Sequence, residues 1–175
     1  GFEAAVLQGE RMWIGWGRTR LRQTIRARAQ RPMFHIPIDR QQQYSFGRQQ
    51  IVVAPGAMVF VAPGTETSRH SDAGSVLAMV LDGTALTNEV QRRRPGAADP
   101  WPQFPLALEP RDHLRRAFGQ ALAELVRTFD PGVPAAQRAH CESRVIATLA
   151  DALPSRLEGE VTGRLAAQRV ADLEA

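Results

Sequence analysis

Between Gly47 and Gly64 the chain reads GRQQIVVAPGAMVFVAPG, two short apolar runs each closed by a Pro-Gly pair. Ile51-Val52-Val53 and Met58-Val59-Phe60-Val61 are β-branched and aromatic, too short for helices and bounded by turn residues, so they read as buried strands. Pro55 presets the backbone of the turn between them and Gly56 accepts a positive φ, so the pair separates two strands without breaking either. The expected unit is a hairpin of an antiparallel sandwich.

The residues before and after this unit supply more strands. Phe2 to Leu7 and Arg11 to Trp16 are short candidates, the second carrying Trp13 and Trp16. Thr19 to Arg28 alternates, with Arg20, Arg22, Thr24, Arg26 and Arg28 on one face, a row facing solvent or lining a cleft for carboxylates. Met33 to Ile38 has the same period, which predicts Phe34, Ile36 and Ile38 inward and His35 outward, while Pro37 predicts a strand at an edge or bulge. Tyr44 with Phe46, Thr65 to His70 and Val76 to Leu81 complete a set dense enough for a sandwich or small barrel.

Beyond Leu81 the period changes to that of helices. Thr84 is the expected N-cap of a short helix stopped before Arg92-Arg93-Arg94-Pro95-Gly96, and a Pro-rich linker runs from there to Pro110. The next helix, about 110–129, carries Leu114, Phe118, Ala121, Leu122, Leu125 and Phe129 on one stripe. After Asp130-Pro131-Gly132 a further helix sets Cys141, Val145, Leu149 and Leu153 in a row broadened by Ile146 and Ala150, until Pro154 ends it. So short a joint predicts an antiparallel helix hairpin. A last, polar helical piece is expected over 161–172. The fold class is therefore α+β, with an N-terminal barrel or sandwich over 1–95, a linker and helix hairpin over 96–160, and a separate segment over 161–175.

Charge divides along the same line. All basic residues are Arg, and residues 1–95 carry thirteen against seven acids, whereas 96–175 carry nine against eleven. The strand half is basic, which reads as a solvated face in preference to an anion-binding one. No apolar run is long enough to span a bilayer, and the start shows no basic n-region or cleavage pattern, so a cytoplasmic protein is expected. Cys141, the one cysteine, falls inside a helical pattern and reads as a packed thiol.

Catalytic signatures are missing. There is no G-x-S-x-G elbow, Walker loop or G-x-G-x-x-G fingerprint. His35, His70, His113 and His140 are isolated in sequence, so no metal or other cofactor is expected, and Asp112, Glu124 and Glu142 read as helix-surface charges.

VVAPGAMVFVAPGTETSR (52–69), GTALTNEV (83–90) and RVIATLADALP (144–154) together resemble the N-terminal, effector-binding and dimerisation half of AraC/XylS-type transcription regulators, the AraC-binding-like domain with a cupin-like barrel. The resemblance covers about Phe34 to Pro154. It implies a cupin-like barrel that takes a small-molecule effector, a homodimer, and DNA contact through a further domain, whose first helix in that family begins much as Arg164 to Glu174 does. On this reading the chain is no enzyme. The competing class is a metal-dependent cupin-like isomerase or dioxygenase, but cupin metal sites need a His-x-His pair, a Glu and a further His, and Thr65, Glu66 and Thr67 stand after Gly64 instead.

With a barrel implied, the inward candidates are Phe34, Ile36, Phe60, Val76 and Ala78, with Trp13 covering one mouth and Arg40 and Arg69 as orienting groups for a carboxylate. That set favours an aromatic or hydrophobic effector over a sugar. The dimer is expected on the last helix, through Val145, Ile146, Leu149, Ala150 and Leu153, because the stripe is wider than one packing partner needs.

Overall fold

The computed structural model describes residues 2–71, 73–95, 106–108 and 112–153. Among these residues ten strands form two antiparallel sheets. The larger holds β1 (Phe2–Gln8), β2 (Met12–Thr19), β9 (Gly74–Leu81), β4 (Met33–Pro37), β7 (Met58–Val61) and β10 (Leu106–Leu108), in that spatial order. The smaller is β3 (Gln23–Arg28), β8 (Glu66–Ser71), β5 (Gln42–Phe46) and β6 (Gln49–Val53). Helices α1 (Gly83–Arg93), α2 (Asp112–Arg127) and α3 (Ala135–Ala152) follow, so the expected order of a sandwich and then a helix hairpin is met. Among the described residues no ladder joins the two sheets, which form an open sandwich instead of a closed barrel.

The two Pro-Gly pairs do something other than close hairpins. β6 pairs with β5 in the small sheet, whereas β7 pairs with β4 and β10 in the large one, so the turn at Pro55-Gly56 carries the chain from one sheet to the other. Pro63-Gly64 carries it back to β8. Gly56 and Gly64 have φ of 79° and 82°, and the turns close through Ala57 N to Ala54 O (3.1 Å) and Thr65 N to Ala62 O (3.2 Å). A corner between sheets needs the same tight reversal as a hairpin, which is why sequence alone does not tell them apart. Two further readings change. β4 is an inner strand, and Pro37 is tolerated as its last residue, beyond the three positions that pair with β7. Leu106–Leu108, inside the expected linker, is a strand beside β7.

The large sheet is covered on both faces. Met12, Ile14, Phe34, Ile36, Met58, Phe60, Met79 and Leu81 pack on one side with Leu86 and Val90 of α1, Phe118, Ala121 and Leu125 of α2, and five residues of α3 together with its C-cap, Leu153. Val59 and Val61, on the other side, join Tyr44, Phe46, Ile51, Val53, Ala29 and Ala57 between the sheets. The result is three layers with two cores. α1 starts two residues earlier than expected, capped by Asp82 in place of Thr84; Asp82 Oδ1 accepts from Ala85 N at 2.8 Å.

This layering accounts for the broad stripe of α3. Val145, Ile146, Leu149, Ala150 and Leu153 are 0–3% exposed in the single chain, because the sheet, α1 and α2 share them out as packing partners. They form intramolecular core and leave no surface for a second subunit. Cys141 lies in the same core. Glu142, expected on the surface, is fully buried. Its carboxylate oxygens accept from Glu10 N and Arg11 N, each at 3.0 Å, and so tie α3 to the β1–β2 turn. A Cβ at Gly9 would overlap Glu142 Oε1, so only glycine lets the turn come this close. Glu124, by contrast, is a partly exposed partner of Arg144.

Leu149→Ala should lower the unfolding free energy by about 2–5 kcal/mol, as expected for a truncated core leucine. Ile146→Glu should unfold the chain and not release a folded monomer. Denaturant titration with sedimentation checks both, and a stable, folded Ile146→Glu protein would return the stripe to the surface. Glu142→Ala strands two backbone donors and should cost about 1–3 kcal/mol in the same titration.

Candidate functional site

Strand alternation assigns each residue of the large sheet to the helix side or the sandwich side. Phe34, Ile36 and Phe60 point to the helices, with the Phe34 and Phe60 rings 5.0 Å apart. His35 points the other way, its ring centroid 5.8 Å from that of Tyr44 in the small sheet. The period read from sequence is correct and its phase is reversed: the polar residue faces the interior of the sandwich and the bulky apolar ones face the helix layer. Val76 and Ala78 lie opposite Pro37 and His35, so they share the face of His35 and not that of Phe34, Ile36 and Phe60, with which the sequence grouped them.

Across from them, β8 presents Thr67 and Arg69, both buried, and β5 presents Gln42, Tyr44 and Phe46. One half of the interior, under β5 and β6, is filled by the apolar side chains around Tyr44 and Val61. The other half is built differently. β2 turns Trp13, Gly15 and Gly17 toward the small sheet, opposite Val80, Ala78 and Val76, so the middle of its floor, at Gly15 and Ala78, is made of small residues. A Cβ at Gly15 would meet nothing nearer than Ala78 O at 3.9 Å. Trp13 (46% exposed) and Ile25 (40%) stand at the open rim.

Polar groups converge beside this floor. Arg69 is 9% exposed and stands against both Tyr44 and His35. Burial, helped by the Arg69 charge, pushes the His35 pKa down to about 4, and burial pushes the Tyr44 phenol up to about 12 against the pull of Arg69. Both are neutral near pH 7. Tyr44 Oη reaches Gln42 Oε1 at only 3.5 Å, while His35 Nδ1 and Thr67 Oγ1 are buried without any hydrogen-bond partner. Folded proteins seldom strand buried polar atoms in this way. The arrangement can hold the polar end of a small molecule, with apolar contacts available from Val76, Ala78 and Trp13.

The remaining candidates fall elsewhere. Arg40 is exposed beyond the end of β4, and Arg26 and Arg28 of the expected arginine row line an open groove of about 580 Å³ on the outer face of the small sheet. His70 is on that outer face, bonded to Thr24 Oγ1 at 2.9 Å. A second groove, of about 530 Å³, runs between Arg11, α1 and Ser143 of α3. No group of three or more His, Cys, Asp or Glu side chains is placed to hold a metal ion among the described residues. His35 and Thr67 were missed in the sequence because each is a lone polar letter in a strand, which reads as outward or neutral.

No protein-family model and no curated protein matches the chain. Its fold does match solved structures. The AraC-like transcriptional activator CuxR aligns over 87% of this chain and 56% of its own length, with a TM-score of 0.65 at 11% identity. A cupin superfamily protein of Desulfitobacterium hafniense aligns over 46% of this chain and 77% of its own (TM-score 0.44, 13% identity), and a mutant oxalate decarboxylase of Bacillus subtilis over 48% and 26% (0.43, 14%). The fold is a cupin-like β-sandwich with a C-terminal helical part. This chain spans just over half of CuxR. Among the described residues no helix is long and apolar enough to cross a membrane.

His35 makes the site sensitive to acid. Its folded pKa lies below the usual 6.5, so between about pH 6.5 and 4 the unfolded chain takes up a proton that the folded chain refuses. Stability should be complete above pH 6.5 and fall toward pH 4, by at most roughly 1.4 kcal/mol per pH unit. His35→Phe should flatten that part of the curve. Equal slopes in the two proteins, from denaturant midpoints at several pH values, would show that His35 is protonated without cost.

Proposed function

We propose that this chain is the effector-sensing and dimerisation part of an AraC-type transcription regulator, in which a small molecule enters the sandwich from the Trp13 rim and alters how attached DNA-binding units are disposed. The observation that carries the reading is the half-interior floored by Gly15, Gly17 and Ala78, where folding leaves His35 Nδ1 and Thr67 Oγ1 unpartnered. The likeness of fold to an AraC-like activator over 87% of the chain supports it, because it includes the helix layer as well as the sandwich. A ligand can shift such a balance only by binding one arrangement better than the other.

The role is one of binding, not catalysis, and the effector is aromatic or hydrophobic. Homodimerisation falls to surfaces outside the α3 stripe, such as the outer side of α2, where Val126 is 43% exposed. DNA contact belongs to a further domain, and 161–172, the expected start of it, lies outside the described residues. A thermal-shift screen of aromatic and aliphatic compounds against polyols tests the reading, since a ligand of the native state raises its melting temperature. Stabilisation by aromatic or aliphatic compounds is expected. A screen in which only polyols stabilise overturns this assignment of the effector class.

A further inference from the structure

Folding buries the charge of Arg69 without giving it a counter-charge. Among the described residues no Asp or Glu forms an ion pair with it, although Arg92, Arg93 and Arg144, all more exposed, each have one. A guanidinium taken out of water is unfavourable unless an anion or several acceptors replace the lost solvation. Its neighbours replace it only in part: the Tyr44 hydroxyl accepts a hydrogen bond from the guanidinium but brings no negative charge. Tyr44 and His35 are both neutral, and Tyr44 is itself weakly bonded at 3.5 Å to Gln42. Close by, His35 Nδ1 and Thr67 Oγ1 are buried without a hydrogen-bond partner. One positive charge and two hydrogen-bonding atoms are therefore left over along one stretch of the sandwich interior, beside a floor of small residues.

We propose that this interior is an acid-binding site: a single carboxylate on an otherwise apolar small molecule accepts hydrogen bonds from the Arg69 guanidinium and Thr67 Oγ1, and its body lies over Gly15, Gly17 and Ala78 toward Trp13. The inference rests on the effector-sensing reading and narrows it to a chemical class. Charge decides between classes. Arg69 is the only buried arginine among the described residues, and His35 adds no second positive charge near neutral pH, because burial and Arg69 both oppose its protonation. A carboxylate balances that one cation. A phosphate dianion would leave net negative charge in a weakly polarisable interior, and a polyol would leave the guanidinium unneutralised. The planar fork of Arg69 also matches the two oxygens of a carboxylate. Apolar Val76 and the Trp13 ring at the rim provide for a hydrocarbon or aromatic body.

Matched pairs test the class: phenylacetate with phenylacetamide and octanoate with octanamide, alongside inorganic phosphate and sorbitol, read by melting temperature and calorimetry on the whole chain. At least one acid should stabilise the protein where its amide, phosphate and sorbitol do not. Arg69→Met should weaken that acid on the order of tenfold or more and Thr67→Val several-fold. A second readout needs no ligand. If Arg69 is held for an absent anion, Arg69→Met relieves a buried charge and raises the melting temperature of the free protein, and Thr67→Val leaves it unchanged. A lowered melting temperature for free Arg69→Met, or a failure of that variant to fold, makes Arg69 structural and overturns the proposal. Amides that bind as well as their acids overturn the acid class while leaving a small-molecule sensor in place. If no compound of either kind stabilises the chain, the acid site and the sensing reading fall together.

Discussion

The large sheet has to bury both of its faces, and most of the molecule follows from that. A sheet in a two-layer sandwich can leave one face to solvent, and its strands then alternate cleanly between apolar and polar residues. Here the strands at the centre carry apolar side chains at both parities: Met58-Val59-Phe60-Val61 is buried at every position. The helix side takes the larger residues, Phe34, Phe60, Met58 and Met79, because the helices offer deep grooves between side chains. The sandwich side takes Val59 and Val61, packed against the small sheet, and Ala78 and Gly15 farther along the same face.

That division explains which features of the sequence were legible. Strand positions, turn residues and helix spans are written in local spacing, and for β1 to β9 and α1 to α3 they agree with the structure to within a few residues, whereas β10 is not legible in the Pro-rich linker. Spacing of two also identifies which residues share a face. It does not say what covers the face, and for β4 the two choices give opposite answers: assigning Phe34 and Ile36 to a ligand cavity follows from a two-layer picture, whereas the helix layer claims them. The continuous apolar runs at 58–61 and 76–81 were the available signal, because only a sheet covered on both sides needs them.

The same oversight widened the dimer expectation. A stripe formed by Val145, Ile146, Leu149, Ala150 and Leu153 exceeds what one partner needs, and on sequence alone the excess points to a second subunit. α3 in fact meets the sheet, α1 and α2 together, so three intramolecular partners use the whole width. Glu142 belongs to this argument as well. It lies three residues before Val145 and seven before Leu149, which puts it on the buried side of α3 by helical spacing, yet its charge alone marked it as external. The partner that makes its burial tolerable, the pair of backbone donors at Glu10 and Arg11, is more than 130 residues away in sequence and leaves no local trace.

Because one sheet serves both cores, the candidate site and the helix layer share their strands. β4 offers His35 to one side and Phe34 and Ile36 to the other, and β2 offers Gly15 to the site while Met12 and Ile14 pack toward α2 and α3. The β1–β2 turn is held to α3 a second time through Glu142. A strand that shifts by a fraction of its spacing on one face shifts by as much on the other, and close-packed interiors answer such displacements by repacking instead of compressing. The helix layer is thus one side chain away from anything that occupies the sandwich. Contiguity of this kind is a physical route for coupling, and its direction and size follow from the free-energy difference between arrangements of the helices.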